Sequence, residues 1–204
     1  MIKNIVFDIS NVLAPFRFKE YLIDKGFNGE TIKRIYKASV VTPYWTLFEK
    51  GKISREEAIN EFIKLDPGIK DELHKAYDNS NGIMGKYDYS HSWIDSLKKQ
   101  GYKLYCISNF TPAGYVECYD CIDFVEKFDG VVLSFKEGYA KPEKEIYEIL
   151  LNRYDLNPSE CVFIDDTKEN VEAAINLGFK GIVFKNYEDA VKELNEIIKL
   201  WKVI

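Results

Sequence analysis

Five short apolar runs constrain this chain most: Ile2–Phe7, Tyr102–Ile107, Gly130–Leu133, Cys161–Ile164 and Gly181–Phe184. They are too short for helices and rich in β-branched and aromatic residues. Strands of that kind belong inside a parallel sheet covered on both faces. Helical patterns separate the later runs, and strands alternating with helices predict an α/β fold, a doubly wound parallel sheet with a Rossmann-like core. With 204 residues, 46% of them apolar, the chain can bury such a core and a modest second unit.

The stretch from about residue 16 to 86 has a different texture. It carries no convincing strand but helical patterns at Lys19–Lys25, Glu30–Ser39, Tyr44–Lys50, Arg55–Leu65 and Lys70–Tyr77. Ser54-Arg55-Glu56-Glu57 reads as a capping start, and Asn79–Gly82 with Gly85 as a linker. The expected organisation is a core made of residues 1–15 and 87–204, interrupted by a helical insertion at 16–86. Further helix starts are marked in the core. Thr111 is placed to cap a helix opened by Pro112, Pro142 to open one running to about Tyr154, and Thr167 to cap a third that ends before Gly178.

Four segments at inferred strand ends carry the chemistry. Asp8, in Phe-Asp-Ile-Ser-Asn-Val-Leu, offers a carboxylate nucleophile. Ser108, with the N–H of Asn109, offers donors to an anion. Lys141, just before the expected Pro-started helix, offers an ammonium. Asp165 and Asp166 are adjacent carboxylates that repel unless a cation offsets them. Magnesium takes oxygen ligands and one or two carboxylates, so Asp8 and Asp166, with the Ser10 carbonyl, form a candidate site. Phosphoryl transfer with a divalent metal suits the set.

In order and spacing these segments resemble the four motifs of the haloacid dehalogenase superfamily of aspartate-nucleophile hydrolases. They are Phe7 to Leu13, Ile107-Ser108-Asn109, Lys141 to Tyr147, and Phe163 to Asn170. The insertion resembles the small helical cap of one of its subgroups. The resemblance implies a magnesium-dependent phosphatase that acts on a small phosphorylated metabolite, such as a sugar phosphate, through phospho-aspartate. It makes Asp8 the nucleophile and a metal ligand, with Lys141 as its catalytic partner. Ser10, Asp166 and Asp165 would support the metal. Ile9, Ser10, Ser108, Asn109 and Lys141 would hold phosphate, and Asn170 would orient the metal shell or Lys141. Phe16, Arg17, Trp45 and Glu49 are cap candidates to face the substrate.

Ser10 departs from the pattern. Most phosphatases of this superfamily place an acid two residues after the nucleophile, and a serine hydroxyl is too weak an acid to replace it. A positioned general acid contributes roughly 10²–10⁴-fold, or about 3–5 kcal/mol of barrier. Three readings follow. The leaving group needs little protonation, a cap residue or water supplies the proton, or the chain is a 2-haloacid dehalogenase, which releases halide. A catalytically impaired phosphate-binding module is the non-enzymatic alternative.

Other classes are disfavoured. A formal net charge of -5 without a basic stripe disfavours nucleic acid. No apolar run approaches the length of a membrane span, and the first residues lack the pattern of a secretory leader, so a cytoplasmic location is expected. Cys118 and Cys121 have zinc or redox spacing but no second pair nearby, and they read as plain thiols.

Overall fold

The computed structural model describes residues 1–200. The five apolar runs form parallel strands β1 (Asn4–Phe7), β2 (Lys103–Ser108), β3 (Gly130–Leu133), β4 (Cys161–Asp165) and β5 (Lys180–Val183), in the order β3-β2-β1-β4-β5. β1 is central, with Phe7 opposite both Cys106 of β2 and Ile164 of β4. The chain winds outward in one direction through β2 and β3, then in the other through β4 and β5. A crevice therefore opens beyond the carboxyl end of β1, where such sheets bind ligands.

Helices cover both faces. In the insertion lie α1 (Phe18–Asp24), α2 (Gly29–Ala38), α3 (Pro43–Glu49), α4 (Arg55–Leu65) and α5 (Lys70–Ala76). In the rest lie α6 (Ser90–Lys99), α7 (Pro112–Glu117), α8 (Ser134–Glu137), α9 (Lys144–Arg153), α10 (Lys168–Asn176) and α11 (Tyr187–Leu200). Side chains alternate across the strands as a two-residue period demands. Val6, Tyr105, Ile107 and Phe163 pack with Ile146, Tyr147 and Leu150 of α9 and Val171 and Ala174 of α10. Ile5, Phe7, Leu104, Cys106, Val162 and Ile164 face the larger core, with Trp93 and Ile94 of α6 and Leu194 of α11.

The insertion helices lie within one residue of the sequence expectation, and two of them carry explicit capping signals. Asn28 caps α2 by accepting the N–H groups of Glu30 and Thr31, and Ser54 with Glu57 forms a capping box on α4. Arg34 grips Asp66 through two bonds of 2.8 and 2.6 Å. The segments joining the insertion to the sheet run side by side: Gly85 N–H donates to Pro15 O at 3.0 Å, and Arg17 N–H to Ile83 O at 2.7 Å.

Two helix starts differ from expectation. Thr111 does cap α7, accepting from Gly114 N–H at 3.1 Å. Pro142 does not open α9, which begins at Lys144 after a cis Lys141–Pro142 peptide. Glu143 takes the N-cap position, where its Oε2 accepts the Ala140 N–H at 2.9 Å. Thr167 is the N-cap residue of α10, but its side chain makes no capping bond. The carboxylate of Asp165 instead accepts the Thr167 N–H at 2.8 Å. Among the described residues no helix is long and apolar enough to cross a membrane.

Candidate active site

Asp8 follows β1 and extends its ladder, donating its N–H to Ile164 O at 2.9 Å. The residue is buried, with its side chain 7% exposed. Three donors converge on one oxygen: Ile9 N–H at 2.7 Å, Ser108 Oγ–H at 2.8 Å and Lys141 Nζ at 2.7 Å, all to Oδ1. Among the described residues no donor is bonded to Oδ2. The carboxylate is thereby oriented with one oxygen held and one available.

Lys141 joins two acids in the interior. Its ammonium lies 2.7 Å from Asp8 and 2.6 Å from Asp165. Asp165 is fully buried and committed to protein donors, accepting also from Thr167 N–H and from Asn170 Nδ2 at 3.0 Å. Asn109 fixes the other end of Lys141: its Oδ1 accepts the Lys141 N–H at 2.9 Å and its Nδ2 donates to the Lys141 carbonyl at 3.1 Å. Each buried polar group thus has a partner, as interiors require.

The charges shift accordingly. Burial pushes the Asp8 carboxyl up to about 6, against the pull of Lys141 and with the Asp165 charge adding to the push. For Lys141, burial works against the charge, but the Asp165 and Asp8 carboxylates outweigh it and hold the ammonium above the ordinary lysine range.

Asp166 stands at the open side. Asn11, to which no sequence motif gives a role, donates from Nδ2 to Asp166 Oδ2 at 2.9 Å. Its positive φ of 58° bends the loop after Asp8, a conformation asparagine tolerates better than most residues. Its Oδ1 accepts the Phe16 N–H at 3.0 Å. Carboxylate oxygens of Asp8, Asp165 and Asp166 all lie within 4.8 Å of one another. Hard oxygen donors this close fit a divalent cation such as magnesium.

A cavity of about 220 Å³ opens over these groups. Its floor holds Asp8, Ser10, Asn11, Asn109, Lys141, Asp166 and Asn170, and its far wall is built by the insertion, with Phe16, Tyr21, Trp45, Phe48, Glu49, Arg55 and Tyr77. Burial pushes the Glu49 carboxyl up to about 7, while the Trp45 indole and the Lys141 charge hold it back and the Asp8 charge raises it.

The structure brings Asp8, Ser10, Ser108, Asn109, Lys141, Asp165, Asp166 and Asn170 together. Trp45 and Glu49 reach the cavity, but Arg17 is not among the residues that line it. Its guanidinium bonds Gly82 O at 3.3 Å and meets Asp24 at 3.5 Å. The cation on the insertion side is Arg55, which the sequence marks only as part of a helix start. It reaches the cavity by bonding Glu117 at 2.6 Å across from α7, a contact no local pattern announces. Cys118 and Cys121 are free thiols near the carbonyls of Ser80 and Met84, and neither joins a metal cluster among the described residues.

Known proteins show the same plan. The D-ribitol-5-phosphate phosphatase of Bacteroides thetaiotaomicron is 27% identical over 213 residues, covering 97% of this chain and 99% of that protein. Mouse acyl-CoA dehydrogenase family member 10 is 26% identical over 95% of this chain, which spans only 19% of that protein's length. A haloacid dehalogenase family enzyme from Bacteroides thetaiotaomicron, solved with magnesium and inorganic phosphate, superimposes with a TM-score of 0.70 at 22% identity, covering 91% of this chain and 95% of its own. Residues 2–178 match the haloacid dehalogenase-like hydrolase family, and the chain belongs to it.

Proposed function

We propose that this enzyme is a magnesium-dependent phosphatase that hydrolyses a small phosphorylated metabolite through a phospho-aspartate on Asp8. The observation that carries the reading is the balance of charge: three clustered carboxylates face one buried ammonium. A site with that surplus repels any anionic substrate unless a divalent cation is added. A dehalogenase, which attacks carbon without a metal, has no use for the extra acids. The ribitol phosphate phosphatase among its relatives supports the phosphomonoester class.

The residues divide the work. Asp8 Oδ2, free of protein donors among the described residues, attacks phosphorus while Oδ1 stays held. Lys141 offsets charge on Asp8 and on the phosphoryl group, and Asp165 with Asn170 and Asn109 keeps Lys141 in place. Ser108 orients Asp8 through its hydroxyl. Asp8, Asp166 and the Ser10 carbonyl would hold magnesium, with Asp165 behind them, and the ion would neutralise and align the phosphate. Residues 1–15 and 87–204 act as the catalytic core and 16–86 as the cap. The aromatic wall of Phe16, Trp45, Phe48 and Tyr77 favours substrates with an apolar or planar body.

Excess EDTA is expected to abolish hydrolysis of p-nitrophenyl phosphate and added magnesium to restore it, read by nitrophenolate release. Full activity in EDTA, or chloride release from 2-chloropropionate instead, would overturn the reading.

A further inference from the structure

Ser10 leaves this site without an acid for the departing oxygen. Apart from Asp8 and Asp166, one other carboxyl lines the cavity among the described residues: Glu49, the last residue of α3. Its place is fixed by the core rather than by the insertion alone. The Glu49 carbonyl accepts from Ser134 Oγ at 2.6 Å, and the same Oγ accepts the Phe110 N–H at 2.9 Å, two residues after Ser108. Lys50 pairs with Glu143 at 2.6 Å, two residues after Lys141. Gly51 follows at φ +63°, so close to the core that a Cβ there would lie 2.7 Å from Phe135 O. The backbone around Glu49 is therefore pinned to the elements that carry Ser108 and Lys141.

We propose that Glu49 is the general acid and base of this site, supplied by the cap in place of the acid missing at position 10. The assignment rests on the phosphatase reading. Asp8 Oδ2 forms a bond to phosphorus as the ester P–O bond breaks. The bonding pair goes to the leaving oxygen, which takes the Glu49 proton and departs as an alcohol. Water then attacks the phospho-aspartate and gives its proton to the Glu49 carboxylate. Inorganic phosphate leaves, and Asp8 and protonated Glu49 are restored. Alkyl phosphates, whose alkoxides are poor leaving groups, thereby fall within the substrate class.

A carboxyl raised to about 7 still holds a proton near neutrality, as a general acid should. The charged and titratable groups sharing its cavity are Asp8, Asp166, Lys141, Arg55, Tyr21 and Tyr77.

The test compares kcat/KM for glycerol 1-phosphate and p-nitrophenyl phosphate, with magnesium, in wild type, Glu49→Gln and Glu49→Asp. Glu49→Gln is expected to lose about 10²–10⁴-fold on the alkyl ester. It should lose far less on the nitrophenyl ester, whose leaving group needs no proton. Glu49→Asp, which keeps a carboxyl, should retain more of the alkyl activity than Glu49→Gln. The wild-type alkyl profile should fall above about pH 7, and the Gln variant should lack that limb. Equal losses on both esters, no loss, or a wild type that turns over only the nitrophenyl ester would each overturn the assignment alone. A wild type that turns over neither ester overturns the phosphatase reading and this assignment with it.

Discussion

Asp8→Asn is expected to lower phosphatase turnover by at least about 10⁴-fold, because it deletes the nucleophile rather than weakening a helper. The fold should survive. An asparagine Oδ1 still accepts from Ile9 N–H and Ser108 Oγ–H, and Lys141 keeps its 2.6 Å contact to Asp165. An amide nitrogen is no nucleophile toward phosphorus, so the remaining donors bind phosphate without turning it over. Steady-state release of nitrophenolate measures the loss, and rapid acid quench should recover a phosphorylated chain from wild type alone. A variant that keeps more than about a tenth of wild-type kcat would show that Asp8 is not the covalent residue.

Lys141→Met should damage both stability and activity. The ammonium is 2% exposed in its side chain and holds two acids, at 7% and 0%. Removing one partner from a buried charge cluster leaves the others uncompensated and costs about 3–5 kcal/mol. Urea unfolding of metal-free protein, followed by tryptophan fluorescence, reads that cost. The sign of its pH dependence follows from the protons bound. In wild type the raised Lys141 value gives stability that is fully present below about 10.4, the unfolded lysine value, and lost only as pH rises through the folded one. In the variant, Asp8 loses the cation that opposes its upward shift, so its protonated carboxyl is favoured further in the folded state. Stability then falls as pH rises above the unfolded aspartate value of about 3.9, and the deficit is larger at pH 8 than at pH 5. Adding Asp165→Asn should return part of the loss, since it removes one of the stranded charges. Turnover should fall by about 10²–10³-fold, the cost of removing one preorganised charge from a transition state. A deficit below about 1 kcal/mol at pH 8 would place Lys141 outside the charge network.

Both residues are legible in the amino-acid sequence, and the reason is covalent. Asp8, Ser108 and Asp165-Asp166 lie at or just after the ends of strands, and Lys141 lies shortly before a helix, so the alternation that predicts the parallel sheet also predicts that its carboxyl edge gathers them. The insertion helices are equally readable because capping residues such as Ser54 and Asn28 act on neighbours a few positions away. Pro142 misleads because an opening proline and a proline in a cis peptide ahead of the helix look alike in sequence. Thr167 misleads because a buried acid, Asp165, takes up its N–H while its own hydroxyl makes no capping bond.

The sequence by itself determined the strand set, the run of helices between β1 and β2, the acids at the sheet edge and the absence of an acid at position 10. The tertiary structure alone decided which insertion residues reach the cavity. It turned Arg17 toward Gly82 and Asp24, brought Arg55 across to Glu117, and pinned Glu49 through Ser134. It also decided which carboxyls are raised, since that shift comes from burial and from charges distant in sequence. Periodicity and capping act over a few residues along the chain, whereas desolvation and hydrogen bonds between distant segments depend on how helices far apart in sequence pack around the crevice.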